Sequence, residues 1–250
     1  MKLRGVIGLL TLATSLSAGE ARAALISYWA ADGNATDSVG PNSGTLVDGA
    51  TFAPGVIGQA FSFDGTSYVR APTIGMPTGT QDRSINLWFR IDSYAALPVE
   101  EAFLAGYGAF GSFGQVYLLT ISLNAGNIPV WSQWGTGIAG GPTIQTDTWH
   151  NIGVTSTGNF ATLYLDGDVV ATGTVPFDTA AGTDFVIGRV PGELGDIRQL
   201  IGLVDEIRVY DTVLSDSEMR ALASVPEPTT GLLLIAGLLG LAARRRMNAD

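Results

Sequence analysis

Ser84-Ile85-Asn86-Leu87-Trp88-Phe89-Arg90-Ile91-Asp92 alternates without a break. Ile85, Leu87, Phe89 and Ile91 take one parity, and Ser84, Asn86, Trp88 and Arg90 take the other. A period of two marks a strand with one face in a core. Further along, Phe160-Ala161-Thr162-Leu163-Tyr164-Leu165 runs into Asp166-Gly167, and Val169-Val170-Ala171 returns as its partner. Asp-Gly suits the positive φ angles of a tight hairpin. The same texture predicts strands over 25–30, 59–63, 68–71, 103–106, 115–123, 128–133, 149–155, 185–188 and 202–210. About twelve short strands without intervening helices define an all-β, two-sheet antiparallel sandwich. One short C-terminal helix is expected over Asp216 to Ala223, where Ser215 and Glu218 form a capping box.

Composition supports this reading. Of 250 residues, 33 are Gly and 11 are Pro, while only 14% are charged, which favours turns and short strands over long helices. The absence of cysteine removes disulfide frameworks, thiolate zinc sites and thiol catalysis, and the single His150 has no second imidazole for a His-rich metal site. Residues 24–224 carry 7 Arg, no Lys and 20 acidic residues, a net charge of −13. Such a body repels phosphate backbones and anionic membranes, so nucleic acid is excluded as a partner. A domain of this length buries about 70% of its unfolded surface and needs no covalent staple.

The two ends read as addresses. Lys2 and Arg4 precede an apolar stretch from Val6 to Leu16, and Ala21-Arg22-Ala23 places small residues where a signal peptidase cuts. Residues 1–23 are therefore expected to be a secretory signal peptide. At the other end, Val225-Pro226-Glu227-Pro228-Thr229-Thr230 leads into an apolar run from Gly231 to Ala243, closed by Arg244-Arg245-Arg246. Pro-Glu-Pro cannot continue a helix, and the arginines hold a short membrane segment on its cytoplasmic side. In that order the three parts resemble the PEP-CTERM sorting tail of Gram-negative bacteria, with Pro226, Glu227 and Pro228 as its motif. The resemblance implies processing by an exosortase, a transient inner-membrane anchor over 231–243 within residues 225–250, and release or transfer to the cell surface or extracellular matrix. It also implies an association with exopolysaccharide.

Four stretches between the ends resemble one family: Tyr28-Trp29 with Asp32-Gly33, Thr36 to Gly40 and Gly44-Thr45-Leu46; Gly58 to Gly65 with Tyr68-Val69; Trp149 to Thr155 with Leu163 to Gly167; and Leu203 to Tyr210 with the capped helix. Their order is that of the laminin-G-like, concanavalin A-like jelly-roll domain. The resemblance implies two curved antiparallel sheets that bind glycans or proteins, without fixing a ligand.

Three kinds of site are candidates. The first is calcium, as a structural cofactor. Asp205 shares a strand parity with Leu203, Ile207 and Val209, so it reads as an acid on the core side that needs a cation or several donors. Asp37 and Asn42 lie in a Gly-rich loop able to wrap oxygens around a hard cation. The family resemblance adds that such a loop often meets the closing strand around an ion. The alternative is that Asp37 caps its turn and Asp205 accepts backbone N–H groups.

The second is glycan stacking. Trp131 and Gln133 lie opposite Ile128, Val130 and Ser132, and Trp88 shares a face with Arg90. Exposed aromatics beside amides and a guanidinium can cover a sugar ring and bond its hydroxyls. Half-buried filler is the alternative for either Trp. The loop Gly106 to Gly114 is aromatic and suits a binding rim or a sheet-edge cover.

The third is catalysis. Glu193, Asp196, Asp205 and Glu206 do not reproduce the acid-x-acid strand cluster of jelly-roll glucanases, and adjacent Asp205 and Glu206 point oppositely in a strand. Glu100-Glu101 has no partner identifiable from sequence, and His150, with the parity of Ile152 and Val154, reads as a structural imidazole.

The leading expectation is thus a secreted, exosortase-processed sandwich that binds extracellular polysaccharide without catalysis. A matrix or adhesion protein recognising other proteins is the first rival, and a glycoside hydrolase or polysaccharide lyase of unfamiliar pattern is the second. The mature protein is predicted to lack residues 1–23 and the arginine tail. Intact-mass analysis of surface material should show both losses, and surface-exposed chains retaining Arg244–Arg246 would refute the processing scheme.

Overall fold

The computed structural model describes residues 24–95, 101–191 and 200–224. The expected signal peptide, the Pro226-Glu227-Pro228 motif, the apolar segment 231–243, Glu100, Glu193 and Asp196 lie outside the described residues. Among those described, no helix is long and apolar enough to cross a membrane.

The described elements are β1 (Leu25–Trp29), β2 (Thr45–Val47), β3 (Thr51–Pro54), β4 (Gln59–Asp64), β5 (Tyr68–Ala71), β6 (Arg83–Ile91), β7 (Glu101–Gly108) and β8 (Val116–Ser122). They continue with β9 (Ile128–Ser132), β10 (Gly137–Ala139), β11 (Trp149–Thr157), β12 (Phe160–Leu165), β13 (Asp168–Thr174), β14 (Phe185–Ile187), β15 (Ile201–Tyr210) and α1 (Asp216–Leu222). They form an eight-stranded antiparallel sheet, β13-β12-β11-β6-β15-β4-β3 with β1 also on β15, and a seven-stranded one, β10-β9-β8-β7-β14-β5-β2. The expected all-β, jelly-roll-like sandwich with one short helix is the observed fold. The strands not foreseen, β2, β3 and β10, are edge strands of three or four residues.

The inner faces of the two sheets make one core. From β6 it takes Ile85, Leu87, Phe89 and Ile91, the parity that the alternation assigns to it. Aromatic rings pack together within this core. Trp29 of β1 stacks on Phe185 of β14 at 4.9 Å, and the Trp131 ring meets Tyr117 at 5.1 Å and Phe177 at 5.5 Å.

Strand β15 changes partner midway. Residues Ile201–Val204 pair with β4 on one edge, and Ile207–Tyr210 pair with β1 on that same edge. Between them lies a bulge, seen as a register shift against β6 from Asp205 to Arg208, with Glu206 at φ 55°. The bulge resets the parity. Val204, Ile207 and Val209 enter the core, whereas Leu203 and Asp205 lie on the outer face opposite Arg90 and Trp88 of β6. The core-side placement expected for Asp205 is therefore corrected, because simple alternation does not survive an extra residue.

Part of the outer face of the eight-stranded sheet, over β6, β11 and β12, is covered by α1. Helix α1 begins with the expected capping box: the Glu218 N–H donates to Ser215 Oγ at 3.3 Å and the Ser215 N–H to Glu218 Oε2 at 2.8 Å. The helix lies on Trp88, Asn151, Gly153 and Tyr164. Trp88 Nε1–H donates to Leu222 O at 3.2 Å, and Tyr164 O–H to Asp216 Oδ1 at 2.8 Å. Beneath it, Asn86 and Asn151 exchange amide hydrogen bonds of 2.7 and 3.1 Å, both buried. Gly153 makes the approach possible, since a Cβ there would lie 2.0 Å from Met219 Cε. Met219 is fully buried, so Met219→Ala should cost about 2–5 kcal/mol in denaturant unfolding. A cost below about 0.5 kcal/mol, the usual range of surface substitutions, would mean that α1 does not pack on the sheet.

Candidate functional site on the open sheet

Helix α1 lies on one outer face; a concavity of about 490 Å³ is lined by loop residues Gly75, Met76, Pro77, Gln81, Asp82 and Asp211, and two others lie on the other sheet. On β5, Val69 and Ala71 enter the core, so Tyr68 and Arg70 face outward. Register carries that row sideways: Arg70 pairs with Val186 of β14, and Val186 with Gly106 of β7. Tyr68, Arg70, Gly108, Phe110, Asp184 and Arg189 are among the residues lining a concavity of about 670 Å³ there. That volume is of the size that small-molecule and sugar ligands occupy, roughly 300–1,000 Å³.

Its walls are held by neighbours. Thr183 Oγ1 accepts the Gly108 N–H at 2.8 Å, and Thr183 O accepts from Thr73 Oγ1–H at 2.6 Å, which joins three loops at one edge. The Arg189 guanidinium lies 4.7 Å from the Tyr68 ring centroid. Arg70 Nε is 3.6 Å from Asp184 Oδ2, and the two side chains are 58% and 50% exposed, a loose and hydrated pair. Phe110 comes from the β7–β8 loop and packs against Phe103 at 5.9 Å and Trp134 at 4.3 Å. Beyond this aromatic ridge, Glu101, Ser122, Val130, Ser132 and Gly135 help line a second concavity of about 370 Å³ on the same sheet. The 106–114 loop thus contributes Gly108, Ala109 and Phe110 to the lining of the larger concavity.

The side chains singled out from sequence lie elsewhere. Trp131 is buried in the core, and its neighbours Val130 and Ser132 take the outward positions. The alternation on β9 is real, but both parities are partly apolar, and the larger ring went inward. Gln133 is also buried, so neither residue offers a surface to a sugar. Trp88 is filler beneath α1. Arg90 is half-buried on the eight-stranded sheet, bonded to Asp92 at 2.7 and 3.2 Å. His150 packs by Phe89 and places Nδ1 2.8 Å from Asp166 Oδ2.

The calcium ligands do not assemble either. Asp37 Oδ1 accepts the N–H groups of Tyr28, Val39 and Gly40 at 3.0–3.1 Å, and Oδ2 accepts that of Asn42 at 3.1 Å. Burial raises the Asp37 pKa, but the amides of Gly40, Tyr28 and Val39 outweigh it and hold it below the ordinary aspartate value. The Asn42 side chain is spent on Ser27 and on both backbone groups of Ile74. Asp205 belongs to a different hydrogen-bond system, where Oδ2 accepts from Val56 N–H at 2.9 Å and Ile57 N–H at 3.1 Å. Asp205 Oδ1 alone lacks a partner, far short of the roughly six to eight oxygens calcium takes. Among the described residues no group of three or more His, Asp or Glu could hold a metal.

Comparison with known proteins agrees with this architecture. Residues 63–220 match the family model of the concanavalin A-like lectin/glucanases superfamily, and the chain belongs to that superfamily. Residues 224–246 match the PEP-CTERM protein-sorting motif, which implies export and membrane-associated processing by an exosortase in Gram-negative bacteria. No curated protein matches the chain. Among solved structures, it is similar to domain 4 of AbnA, a GH43 extracellular arabinanase from Geobacillus stearothermophilus, solved with arabinotriose. The TM-score is 0.65 at 23% identity, covering 81% of this chain and 99% of that one. It is also similar to the binding domain of Paraclostridial Mosquitocidal Protein 1, with TM-score 0.60, 16% identity, and coverage of 80% and 51%. Trypanosoma rangeli sialidase gives TM-score 0.57, 16% identity, and coverage of 80% and 32%. The chain thus spans about half and about a third of those last two, and at these identities the likeness is one of fold.

Asp205 remains the most perturbed acid described. Burial pushes its carboxyl up to about 7, with Glu206 adding to the rise and the Ile57 and Val56 amides opposing it. The folded state holds this proton to about pH 7, while the unfolded chain releases it near its ordinary value of 3.8. Stability contributed by the protonated group is therefore complete below about pH 4 and lost as pH rises through about 7. Asp205→Asn should remove that loss, being more stable than the wild type at pH 8 by a few kcal/mol and nearly equal to it at pH 4. Parallel stability–pH curves for the two proteins would show that Asp205 does not titrate in this window.

Proposed function

We propose that the chain is an exported, non-catalytic carbohydrate-binding protein that engages extracellular polysaccharide through the outer face of its seven-stranded sheet. The observation that carries this reading is the asymmetry of the sandwich. Part of one outer face lies under α1, and the other presents a concavity walled by Tyr68 and Phe110 with Arg70, Asp184 and Arg189 between them. Flat aromatic walls cover a sugar's apolar face, and forked guanidinium and carboxylate groups bond its hydroxyls. The arabinotriose complex of the AbnA domain supports this for a similar fold. The exosortase signal supports an extracellular setting.

A binding role is favoured over hydrolysis because glycosidases as a rule flank the scissile bond with two carboxyl groups. Among the described residues lining the larger concavity, Asp184 is the one carboxylate, and it faces Arg70. Glycan arrays followed by calorimetry test the proposal. Saturable binding is expected, and Phe110→Ala should weaken it about tenfold, equivalent to ~1.4 kcal/mol. Arg90→Gln, on the eight-stranded sheet, should leave it unchanged. Silence on every glycan together with self-association would favour a matrix protein, and reducing-end release from exopolysaccharide would make the chain an enzyme.

A further inference from the structure

Among the described residues, four buried polar atoms in one corner of the core have no hydrogen-bond partner in the protein. They are Trp131 Nε1, Nε2 and Oε1 of Gln133, and Thr179 Oγ1. Trp131 and Gln133 are 0% exposed and Thr179 is 2% exposed, so bulk solvent does not serve them. Native interiors leave few such atoms unpaired, because each forfeits its hydration. The three residues converge. Gln133 continues the inward parity of Trp131 one step past the end of β9, with half-buried Ser132 between them. Phe177 and Thr179 repeat that spacing before β14, both buried, with Asp178 exposed between them. The rings of Trp131 and Phe177 meet at 5.5 Å. Gly114 of the β7–β8 loop joins the two segments: its N–H donates to Gln133 O at 2.8 Å, and its O accepts the Asp178 N–H at 2.8 Å.

We propose that this corner is a binding site for ordered, buried water, which ties the end of β9 to the segment before β14. The donor and acceptor inventory selects the ligand. An indole N–H only donates, the Gln133 amide supplies donors and an acceptor, and the Thr179 hydroxyl does both. The N–H groups of Trp131 and Gln133 disfavour a metal cation, and Gln133 Oε1 disfavours a carboxylate or phosphate. Water both donates and accepts, and buried water makes about three hydrogen bonds to polar groups of this kind. Protein groups close by are already engaged. The Arg83 guanidinium lies 5.5 Å from the Phe177 ring centroid, but it donates to the carbonyls of Thr78, Gly79 and Gln81 and to Tyr107 Oη. The Tyr117 ring meets Trp131 at 5.1 Å, and its hydroxyl is bonded to Ser156. Because Gly114 is anchored to both segments, the site also fixes the loop that brings Phe110 to the larger concavity.

A high-resolution crystal structure of the purified mature protein, with water–protein NMR on the same material, tests the proposal. Ordered water should lie within about 3.2 Å of two or more of Trp131 Nε1, the Gln133 amide and Thr179 Oγ1. The Trp131 indole N–H should show a direct water cross-peak, distinguished from proton exchange by its sign in the rotating frame. Gln133→Leu, which nearly keeps the volume and removes the amide, reads the energetic sign. With water bound, it strips that water of partners and should lower the melting temperature by at least about 2 °C. In a dry site the same change removes an unpaired amide and raises the melting temperature. The wild-type observation decides: water on two or more of these groups upholds the site, and water on fewer overturns it, including where Gln133→Leu fails to fold. A higher-melting Gln133→Leu would overturn the claim that the water ties the two segments together.

Discussion

The partner exchange along β15 is the constraint on which the eight-stranded sheet depends. A ten-residue strand at the centre of the sheet is flanked on one edge by β6 and on the other first by β4 and then by β1. Where β4 ends and β1 has not begun, the ladder has a gap, and amide groups in the preceding loop have no strand to meet. Asp205 fills it. Its Oδ2 takes the N–H groups of Val56 and Ile57, and Gly55 allows the loop close, since a Cβ there would lie 2.5 Å from that oxygen. The bulge that turns Asp205 outward also turns Glu206 toward Tyr28, whose hydroxyl donates to both carboxylate oxygens at 2.8 and 2.9 Å. Arg208 completes the group by pairing with Glu206 and stacking 4.3 Å over the Tyr28 ring. Burial and the Glu206 hydrogen bond raise the Tyr28 pKa to about 12, so the phenol remains a donor. Of the two adjacent acids that sequence presents as a candidate metal or catalytic feature, Glu206 is thereby the clasp between the first and last strands, and Asp205 ties the loop before β4 to β15.

Sequence reading succeeded where one face of a strand is unambiguously apolar. The β6 alternation, the Asp166-Gly167 hairpin and the Ser215–Glu218 box each carry a local physical instruction that the fold obeys. It failed at edges and at two-sided strands. Thr45–Val47, Thr51–Pro54 and Gly137–Ala139 are too short to show a period, and each is held by pairing on one side alone. On β9, Ile128, Val130 and Trp131 put apolar atoms on both faces, so parity separated the faces without saying which was inside. Trp88 is the same case on β6, where the second face is covered by a helix more than a hundred residues later in the chain. The outward Tyr68-x-Arg70 pair was legible as an aromatic and a cation on the parity opposite Val69 and Ala71. Its meaning was not, because Asp184 and Arg189 reach it through pairing of β5 with β14.

The helix also fixes where the described chain ends relative to the two sheets. The chain enters at β1, where the Asp211 N–H donates to Ala24 O, and leaves after α1 at Ser224, so both ends of the described domain belong to the eight-stranded sheet. The sorting motif begins at residue 224, directly after the helix that lies on that sheet. The two concavities lined by Tyr68 and by Val130 belong to the opposite layer, and sheets packed face to face stand about 10 Å apart. The helix that covers Trp88 thus ends the described chain on the eight-stranded sheet, across the core from the concavity lined by Tyr68, Arg70, Phe110 and Arg189.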